Sequence, residues 1–300
     1  MLRKIAVWAS LGALMLVAQP NDLAADPPPR GYAFNLSPHD HAYRRSEPGE
    51  PTRRGRRSER FELRDGDCGG SDCGNPRYRS ELRMRNSVNK ARINKDIWYG
   101  WSFYNETVPS FSAKTTLRTV FGTWKLSGDH RPIFRLIQMG VGEGNWTDCD
   151  PALCTRSDDR AKDVVIQLDD MRSAYGWGKA QNLGHICKLF SMAEMRGKWV
   201  DIVINTNFGT GPDGYLNVWI NETLACSYRG QLVATPPAST RVRPGHRRGI
   251  FASYTKRWDA NAAGQSKPRM VVYYDEFLSG RHRADVDPRL RELAGKRAKD

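Results

Sequence analysis

The residues best suited to chemistry are charged side chains that alternate along one short stretch of the chain. They occupy every second position of residues 77–85, in the order Arg77, Arg79, Glu81, Arg83 and Arg85. Successive side chains of a β-strand point to opposite faces, so a strand here places all five charges on one face. Guanidinium groups bind carboxylates through paired hydrogen bonds, so such a face suits a carboxylated ligand. The structural alternative is a solvated outer face of an antiparallel sheet.

The overall charge points to an anionic partner. The chain carries a net charge of +14 at pH 7, much of it in two basic segments, 44–60 and 281–299. Solvated tails are the simpler interpretation of those segments. A basic exported protein binds acidic polysaccharide, a membrane surface or nucleic acid. No nucleic-acid-reading motif is present, so we expect no nucleic acid partner.

The N-terminus has the layout of a secretory signal. Arg3 and Lys4 precede the apolar run Ile5 to Ala18, and the small residues Ala24 and Ala25 follow. The run is short for a membrane span, although an uncleaved anchor is the alternative. We therefore predict a signal peptide at residues 1–25, a secreted or periplasmic protein, and no stable membrane insertion after cleavage.

Six cysteines agree with an oxidising destination. Fifteen pairings are possible, and spacing favours neighbours: Cys68 with Cys73, Cys149 with Cys154, and Cys187 with Cys226. A zinc site is the weaker alternative, because no Cys-x-x-Cys occurs.

The rest of the chain reads as about ten strands separated by turn signals. Strand-like runs begin at 60–64 and continue through 97–104, 116–126, 132–139, 164–168, 199–206, 215–221, 249–258 and 269–278. Only 181–195 and 287–298 are predicted to be helical. This predicts an all-β fold, a jelly roll or concanavalin-like sandwich of two antiparallel sheets. The domain covers 59–281, after a basic, Pro-rich linker or arm at 26–58 and before a basic tail at 282–300. We expect a monomer.

Several of these pieces, in this order, resemble polysaccharide lyases of the heparin lyase I and glucuronan lyase type. The pieces are 60–64, Arg79-Ser80-Glu81-Leu82, 98–103, 120–125, 199–204, 214–221, 249–251 and 272–277. The stretch from Arg79 to Arg83 is also similar to a signature strand of jelly-roll alginate lyases. The resemblance implies a jelly roll that cleaves acidic polysaccharide by β-elimination.

This chemistry needs charge neutralisation and proton transfer. A base removes the proton at C5 of a uronic acid, next to a carboxylate whose charge must be neutralised. By the match to the family motif, the resemblance assigns Arg79 to neutralisation. It leaves Arg83 and Glu81 as substrate-binding candidates.

The chain departs from the family pattern at two places. Where related lyases carry Gln and then His, it has Thr123 and Lys125, which share a strand face. Lys125 is then a candidate base, which would need a lowered pKa from neighbouring cations, and Thr123 a binding residue. Where related lyases carry a tyrosine on a late strand, this chain has Phe251. Tyr254 lies three residues later and would face the opposite side of a regular strand unless a bulge re-aims it.

Other candidates are weaker. His185 is the best placed internal histidine for a base, and Gln138 is a substrate-binding candidate on the strand after Lys125. Glu62 and Asp275, on the first and last strands, are a possible structural calcium site, as in related sandwiches. Salt bridges from Glu62 to Arg60 or Arg64 are the alternative.

Two other functions remain open from the sequence. A non-catalytic acidic-glycan-binding jelly roll is favoured by Phe251 and the missing Gln/His pair. A glycoside hydrolase needs two carboxyl groups flanking the bond, and Asp169-Asp170 and Asp275-Glu276 are poor candidates. The lyase is the preferred hypothesis.

Overall fold

Two antiparallel seven-stranded sheets form the protein, in a computed structural model that describes residues 26–112, 114–127, 132–139, 161–170, 181–235 and 242–299. Sheet A has the strand order β1-β4-β13-β6-β7-β8-β9, and sheet B has the order β12-β11-β10-β5-β14-β3-β2. The all-β jelly-roll prediction is confirmed. The predicted signal peptide lies outside the described residues.

The strands follow the chain in order. Sheet A contains β1 (Tyr32–Leu36), β4 (Tyr78–Met84), β6 (Arg118–Leu126), β7 (Pro132–Met139), β8 (Asp163–Asp170), β9 (Gln181–Ser191) and β13 (Pro244–Ser253). Sheet B contains β2 (Tyr43–Arg45), β3 (Glu59–Leu63), β5 (Ile97–Asn105), β10 (Trp199–Thr206), β11 (Tyr215–Ile220), β12 (Thr223–Arg229) and β14 (Met270–Gly280). Three short helices follow late strands: α1 (Thr255–Asn261), α2 (Arg283–Val286) and α3 (Pro288–Leu293).

Aromatic side chains fill the space between the sheets. Trp101 and Phe103 of sheet B meet Trp124 and Phe134 of sheet A, all at most 1% exposed. Trp124 stacks on Phe134 with ring centroids 4.5 Å apart. Large buried rings contribute strongly to core stability, so the inner face of sheet A is mainly apolar and most of its charged residues lie on the outer face.

The same core contains a buried ion pair. The guanidinium of Arg248 donates to both carboxylate oxygens of Glu59, at 2.6 Å each, and lies 4.0 Å from the ring centroid of Tyr32. Removing one partner of such a pair costs about 3–5 kcal/mol, because the other charge stays buried alone. The pair therefore fixes how β13 of sheet A faces β3 of sheet B.

The segment predicted to be an arm belongs to the fold. Residues 32–36 form β1, paired with β4, and residues 43–45 form β2, paired with β3. Arg53 donates to Asp201 at 3.2 Å and Arg54 to Glu276 at 2.7 Å. The prediction of a linker at 26–58 is wrong, because these arginines have carboxylate partners on sheet B.

The basic C-terminal segment is also packed rather than free. Helix α2 covers Gly100 of β5, where a Cβ atom would lie 2.2 Å from the carbonyl oxygen of Val286. The backbone N–H of Lys299 donates to Glu276 at 3.0 Å. The predicted helix at 287–298 is realised as the shorter α3, and the solvated-tail interpretation is wrong.

The predicted helix at 181–195 is a strand instead. Apolar residues at Ile186, Leu189 and Phe190 have helical spacing, but residues 181–191 form β9 against β8. Cys187 is disulfide-bonded to Cys226 of β12, which links an edge of sheet A to an edge of sheet B. Pairing and cross-linking outweigh local propensity here.

Two of the three predicted disulfides are confirmed: Cys68–Cys73 and Cys187–Cys226. Cys149 and Cys154 lie outside the described residues. Among the described residues, no helix is long and apolar enough to cross a membrane.

A buried carboxylate makes this fold sensitive to pH. Asp275 is 2% exposed and accepts backbone N–H groups of Arg53 and Arg54 at 2.7 and 3.0 Å on one oxygen. Its other oxygen has no partner among the described residues. Burial raises the pKa of Asp275 to about 6, above the unfolded value of about 4. The native state therefore keeps a proton that the unfolded state loses, and stability falls as pH rises from about 4 to about 6.

We expect Asp275→Asn to be more stable than the wild type above pH 6, by on the order of 2–3 kcal/mol. The gain should be much smaller near pH 4, where the wild-type carboxyl is protonated in the native state and about half protonated in the unfolded state. Urea unfolding at pH 4 and pH 8 measures the difference, with the exposed Asp213→Asn as control. An equal difference at both pH values would contradict this account.

Candidate active site

A groove with an excess of basic side chains lies on the outer face of sheet A. It has a volume of about 550 Å³ and draws its lining from β1, β4, β13, β6, β7 and the loop before β4. Its six basic residues are Arg77, Arg79, Arg118, Lys125, Arg135 and Arg247, and its two acidic residues are Asp72 and Glu81. The sequence-predicted residues Arg79, Glu81, Thr123 and Lys125 all line it. This arrangement favours an anionic ligand.

Arg79 is held by two carboxylates in the groove. Its Nε donates to Asp72 at 2.5 Å and its Nη2 to the other Asp72 oxygen at 3.3 Å. Its Nη1 donates to Glu81 at 3.4 Å. Asp72 follows Ser71 in the short loop closed by the Cys68–Cys73 disulfide. The Nε–Nη2 edge of Arg79 thus already binds a carboxylate of the protein.

Glu81 organises the basic residues around it. It is 4% exposed and accepts from the side-chain amide of Asn35 at 2.8 Å, and Arg247 lies 3.9 Å away. Its carboxylate is therefore engaged with protein groups, and its role in the groove is to hold Arg79 and Arg247.

Two β-bulges set which residues of β6 and β13 face the groove. On β6, Val120 and Gly122 pair with consecutive residues of β7, leaving Phe121 unpaired. On β13, pairing with β6 shifts between Arg248 and Phe251. Gly249 there has φ of +119°, and a Cβ atom would lie 2.1 Å from the carbonyl oxygen of Ser80. A bulge inserts one residue and changes the facing of those beyond it.

Tyr254 lies on the groove face of sheet A, not on the opposite side. Its φ of +68° is left-handed, where it precedes α1. Its side chain and that of Phe251 both pack on a small apolar patch formed by Val120, Ile137 and Val165. Arg118, which lines the groove, lies 5.0 Å from the Tyr254 ring centroid. A left-handed residue re-aims the side chain, and no further bulge is needed.

Tyr254 and Lys125 lie at opposite ends of the groove face. Ser253, next to Tyr254, pairs with Arg118, and Lys125 is seven residues further along β6. At about 3.3 Å per residue the backbone separation is on the order of 20 Å. The structure therefore does not bring Lys125 and Tyr254 together on one sugar ring.

Lys125 instead lies near Arg247. Thr123 pairs with Arg247 across β6 and β13, so Lys125 and Arg247 occupy diagonal positions, whose Cα atoms lie about 7–8 Å apart. The same row continues from Thr123 to Arg135, then to Gln167, then to His185. The side chain of His185 lies outside the described residues, so only its register position is known.

Two of the predicted binding residues, Arg83 and Gln138, do not line the groove. Arg83 is exposed and lines a second cavity that adjoins the groove. Gln138 is 0% exposed, and its amide donates to the carbonyl oxygens of Pro109 and Ala161 at 3.0 and 2.6 Å. The expectation that Gln138 contacts substrate is wrong, because its side chain faces away from the groove and is satisfied by loop backbone.

The two carboxylates proposed for calcium do not meet. Glu62 binds Arg60, Arg64 and Arg269, and these guanidinium groups lower its pKa to about 2 despite burial. Val271 pairs with Glu62, and Asp275 lies four residues further along β14, about 13 Å away. The described residues contain no group of three or more His, Cys, Asp or Glu side chains arranged for a metal. Glu62 therefore forms salt bridges with neighbouring arginines, which was the alternative to a calcium site.

Sequence reasoning missed several groove residues. Arg118 and Arg247 line it, and Asp72 binds its central arginine. Alternation on β6 and β13 could have indicated the arginines, but the bulges interrupt that alternation. Nothing in the sequence indicated Asp72, because its contact depends on loop geometry.

A comparison with protein families gives one match. The model described as "Polysaccharide lyase" matches residues 33–278. No curated protein sequence matches the chain significantly.

Solved structures show a similar fold. The endo-β-1,4-glucuronan lyase from the fungus Trichoderma reesei is 14% identical, with a TM-score of 0.57 over 88% of this chain and 97% of that one. An alginate lyase from Aplysia kurodai is 15% identical, with a TM-score of 0.45 over 84% of this chain and 90% of that one. At 14% identity, the likeness to the fungal enzyme shows a common fold.

We expect Asp72→Asn to bind an acidic oligosaccharide such as oligoglucuronate several-fold more tightly than the wild type. The reason is that Asp72 occupies the edge of Arg79 that a ligand carboxylate would use. Isothermal titration calorimetry measures the affinity. Asp65→Asn, in the same loop but bound to Lys267 at 3.2 Å, is the control. Weaker binding by Asp72→Asn would mean that Asp72 orients Arg79 rather than competing for it.

Proposed function

The chain belongs to the polysaccharide lyase family, and from this membership we propose that it cleaves a uronic acid-containing polysaccharide by β-elimination. The observation that carries the proposal is the groove of sheet A, where six basic side chains face two acidic ones. The named glucuronan and alginate lyases act on uronic acid polymers, which supports this substrate class. Neutral glycans offer no charge for such a groove to bind.

We place the substrate carboxylate between Arg79 and Arg247. Glu81 holds both arginines, at 3.4 and 3.9 Å, so their guanidinium groups lie on one side of the groove. Fixed cations of this kind stabilise the negative charge that develops on the carboxylate as the C5 proton leaves. Arg79 and Arg247 therefore act on the charge and not on the proton.

Lys125 is our candidate for the proton transfers. It lies diagonally from Arg247, and Arg135 lines the same groove, which supplies the neighbouring cations that a lysine base requires. The amine takes the proton from C5, the C4–O4 bond breaks, and C4 and C5 become double-bonded. The lysine ammonium then returns a proton to the leaving oxygen.

Tyr254 has a different role in this proposal. Its ring is stacked under Arg118 at the far end of the groove face, and about 20 Å of strand separates it from Lys125. We place it beside a distant sugar, where a flat ring provides a stacking surface. Phe251 provides a ring but no proton, so the tyrosine of related lyases has no replacement at that position.

We also propose that the protein acts outside the cytoplasm. Two disulfides tie the described residues together, and disulfides persist in oxidising compartments. The signal-like N-terminus supports the same location. An extracellular or periplasmic site is where polysaccharide would be met.

Lyase activity is tested by incubating the mature chain with glucuronan, alginate, pectate, hyaluronan and heparin. β-Elimination leaves an unsaturated uronate that absorbs in the near ultraviolet, whereas hydrolysis leaves only new reducing ends. We expect absorbance to rise with at least one polymer and to fall about 10²-fold or more in Arg79→Ala. Arg281→Ala, an exposed residue outside the groove, should match the wild type. Binding without product would instead indicate a non-catalytic glycan-binding protein.

The position of the base is tested by comparing Lys125→Ala with Tyr254→Phe on the polymer that is cleaved. We expect Lys125→Ala to lose about 10²–10⁴-fold in kcat, the usual contribution of general acid–base catalysis. The kcat of Tyr254→Phe should stay within a few-fold of the wild-type value, because the substitution keeps the aromatic ring. Loss of kcat in Tyr254→Phe with activity retained in Lys125→Ala would reverse the two assignments.

A further inference from the structure

A second cavity continues the groove at its Lys125 end. Its volume is about 320 Å³, and it shares Lys125 and Arg247 with the groove. Its other polar lining residues are Arg83, Asn86, Ser127, Arg243 and His246. Four of the lining residues are basic and none is acidic, whereas the lining of the groove also includes two carboxylates.

Two of these cations lack the compensation found elsewhere in the protein. Several other arginines bind carboxylates: Arg44 binds Glu50, Arg248 binds Glu59 and Arg269 binds Glu62. Within the described part of the chain, the guanidinium groups of Arg83 and Arg243 have neither an ion pair nor a hydrogen bond. Unpaired like charges around one cavity repel each other, and an anion that enters the cavity relieves that repulsion.

The inner wall adds an unpartnered polar group. His246 is 2% exposed, and neither of its ring nitrogens has a hydrogen-bond partner among the described residues. Its ring stacks on Phe277, with centroids 4.3 Å apart, and lies 4.6 Å from Trp124. A buried polar side chain without a partner costs free energy in the native state, and this one lines the cavity.

The cavity is arranged along the same strands as the candidate reaction centre. Arg79 and Arg83 lie four residues apart on β4, about 13 Å along the strand. Arg83 pairs with Arg247 of β13, which lines both cavities. A polymer bound at Arg79 and Arg247 can therefore extend into the second cavity without leaving the sheet surface.

We propose that the cavity lined by Arg83, Lys125, Arg243 and Arg247 is an anion subsite for a second acidic group of the same polysaccharide. This rests on the proposed function, and it narrows the substrate class. The enzyme takes polymers with acidic groups on the sugars beside the reacting one, such as a homopolymer of uronic acid. Polymers in which neutral sugars separate the uronates leave this cavity empty and are poorer substrates.

The subsite is tested by measuring equilibrium binding, which does not require catalytic turnover of the oligosaccharide. The probe is a glucuronan hexasaccharide, titrated into Arg79→Ala protein to prevent cleavage, and compared with the same hexasaccharide after reduction of its carboxyl groups. We expect Arg83→Ala and Arg243→Ala each to weaken binding of the acidic probe about tenfold, the usual worth of one charge-assisted contact. The reduced probe should bind weakly and equally to all variants.

Matched variants separate charge from folding. Arg243→Lys should bind the acidic probe more tightly than Arg243→Ala, because it keeps the positive charge. Arg281→Ala should bind the probe as tightly as the parent protein. Melting temperatures check that each variant is folded. If Arg83→Ala and Arg243→Ala bind the acidic probe as tightly as their parent does, the subsite proposal is wrong.

The outcomes also separate this proposal from the lyase activity. Polymer cleavage with binding unaffected by Arg83→Ala and Arg243→Ala would reject the subsite and keep the lyase. Binding that depends on Arg83 and Arg243 in a protein that cleaves none of the polymers would keep the subsite and reject the lyase.

Discussion

The arrangement of the groove depends on the mutual repulsion of the basic side chains on one face of sheet A. Two unit charges 4 Å apart repel by about 4 kcal/mol where the effective dielectric constant is about 20. Asp72 and Glu81 offset part of that repulsion around Arg79. The remaining excess of positive charge allows the face to bind a polyanion. The ion pairs of the core are therefore compensated, whereas the charges of the groove are compensated only in part.

The two faces of sheet A stay distinct because, among the residues that the structure describes, its inner face is largely apolar and the charge of Arg248 there is paired. Arg248 is the arginine of β13 on that side, and Glu59 neutralises it with two hydrogen bonds. Arg247, its neighbour, faces the groove. Arg247 and Arg248 are consecutive, and the alternation of side chains along a strand places Arg248 in the core and Arg247 in the groove. The bulges at Phe121 and Gly249 preserve this separation over strands that would otherwise present other residues.

Alternation predicted the fold and much of the groove, and long-range contacts decided the rest. The bounds of β7 and β10 follow from their runs of strand-forming residues, and Arg79 and Glu81 were placed on one face by the period of two. The sequence predicts an arm at 26–58 because the partners of this segment, Asp201 and Glu276, are distant in sequence. Residues 181–191 have apolar spacing suited to a helix, and only pairing with β8 decides otherwise. The face of Tyr254 stays open from the sequence, because its left-handed backbone cannot be predicted from residue types alone.

The charge around Arg79 suggests where the reaction takes place. Two carboxylates surround this one guanidinium, and its remaining face lies 4.6 Å from the ring centroid of Phe251, which has no proton to give. Arg79 shares its charge with these partners, so a substrate carboxylate placed between Arg79 and Arg247 depends on Arg247 for the rest of its neutralisation. Within the described part of the chain, the carboxylate near Arg247 is that of Glu81, at 3.9 Å, and Arg247 lies diagonally from Lys125. The excess positive charge and the candidate base therefore coincide at the Lys125 end of the groove, which is consistent with proton transfer there and with ring stacking at the Tyr254 end.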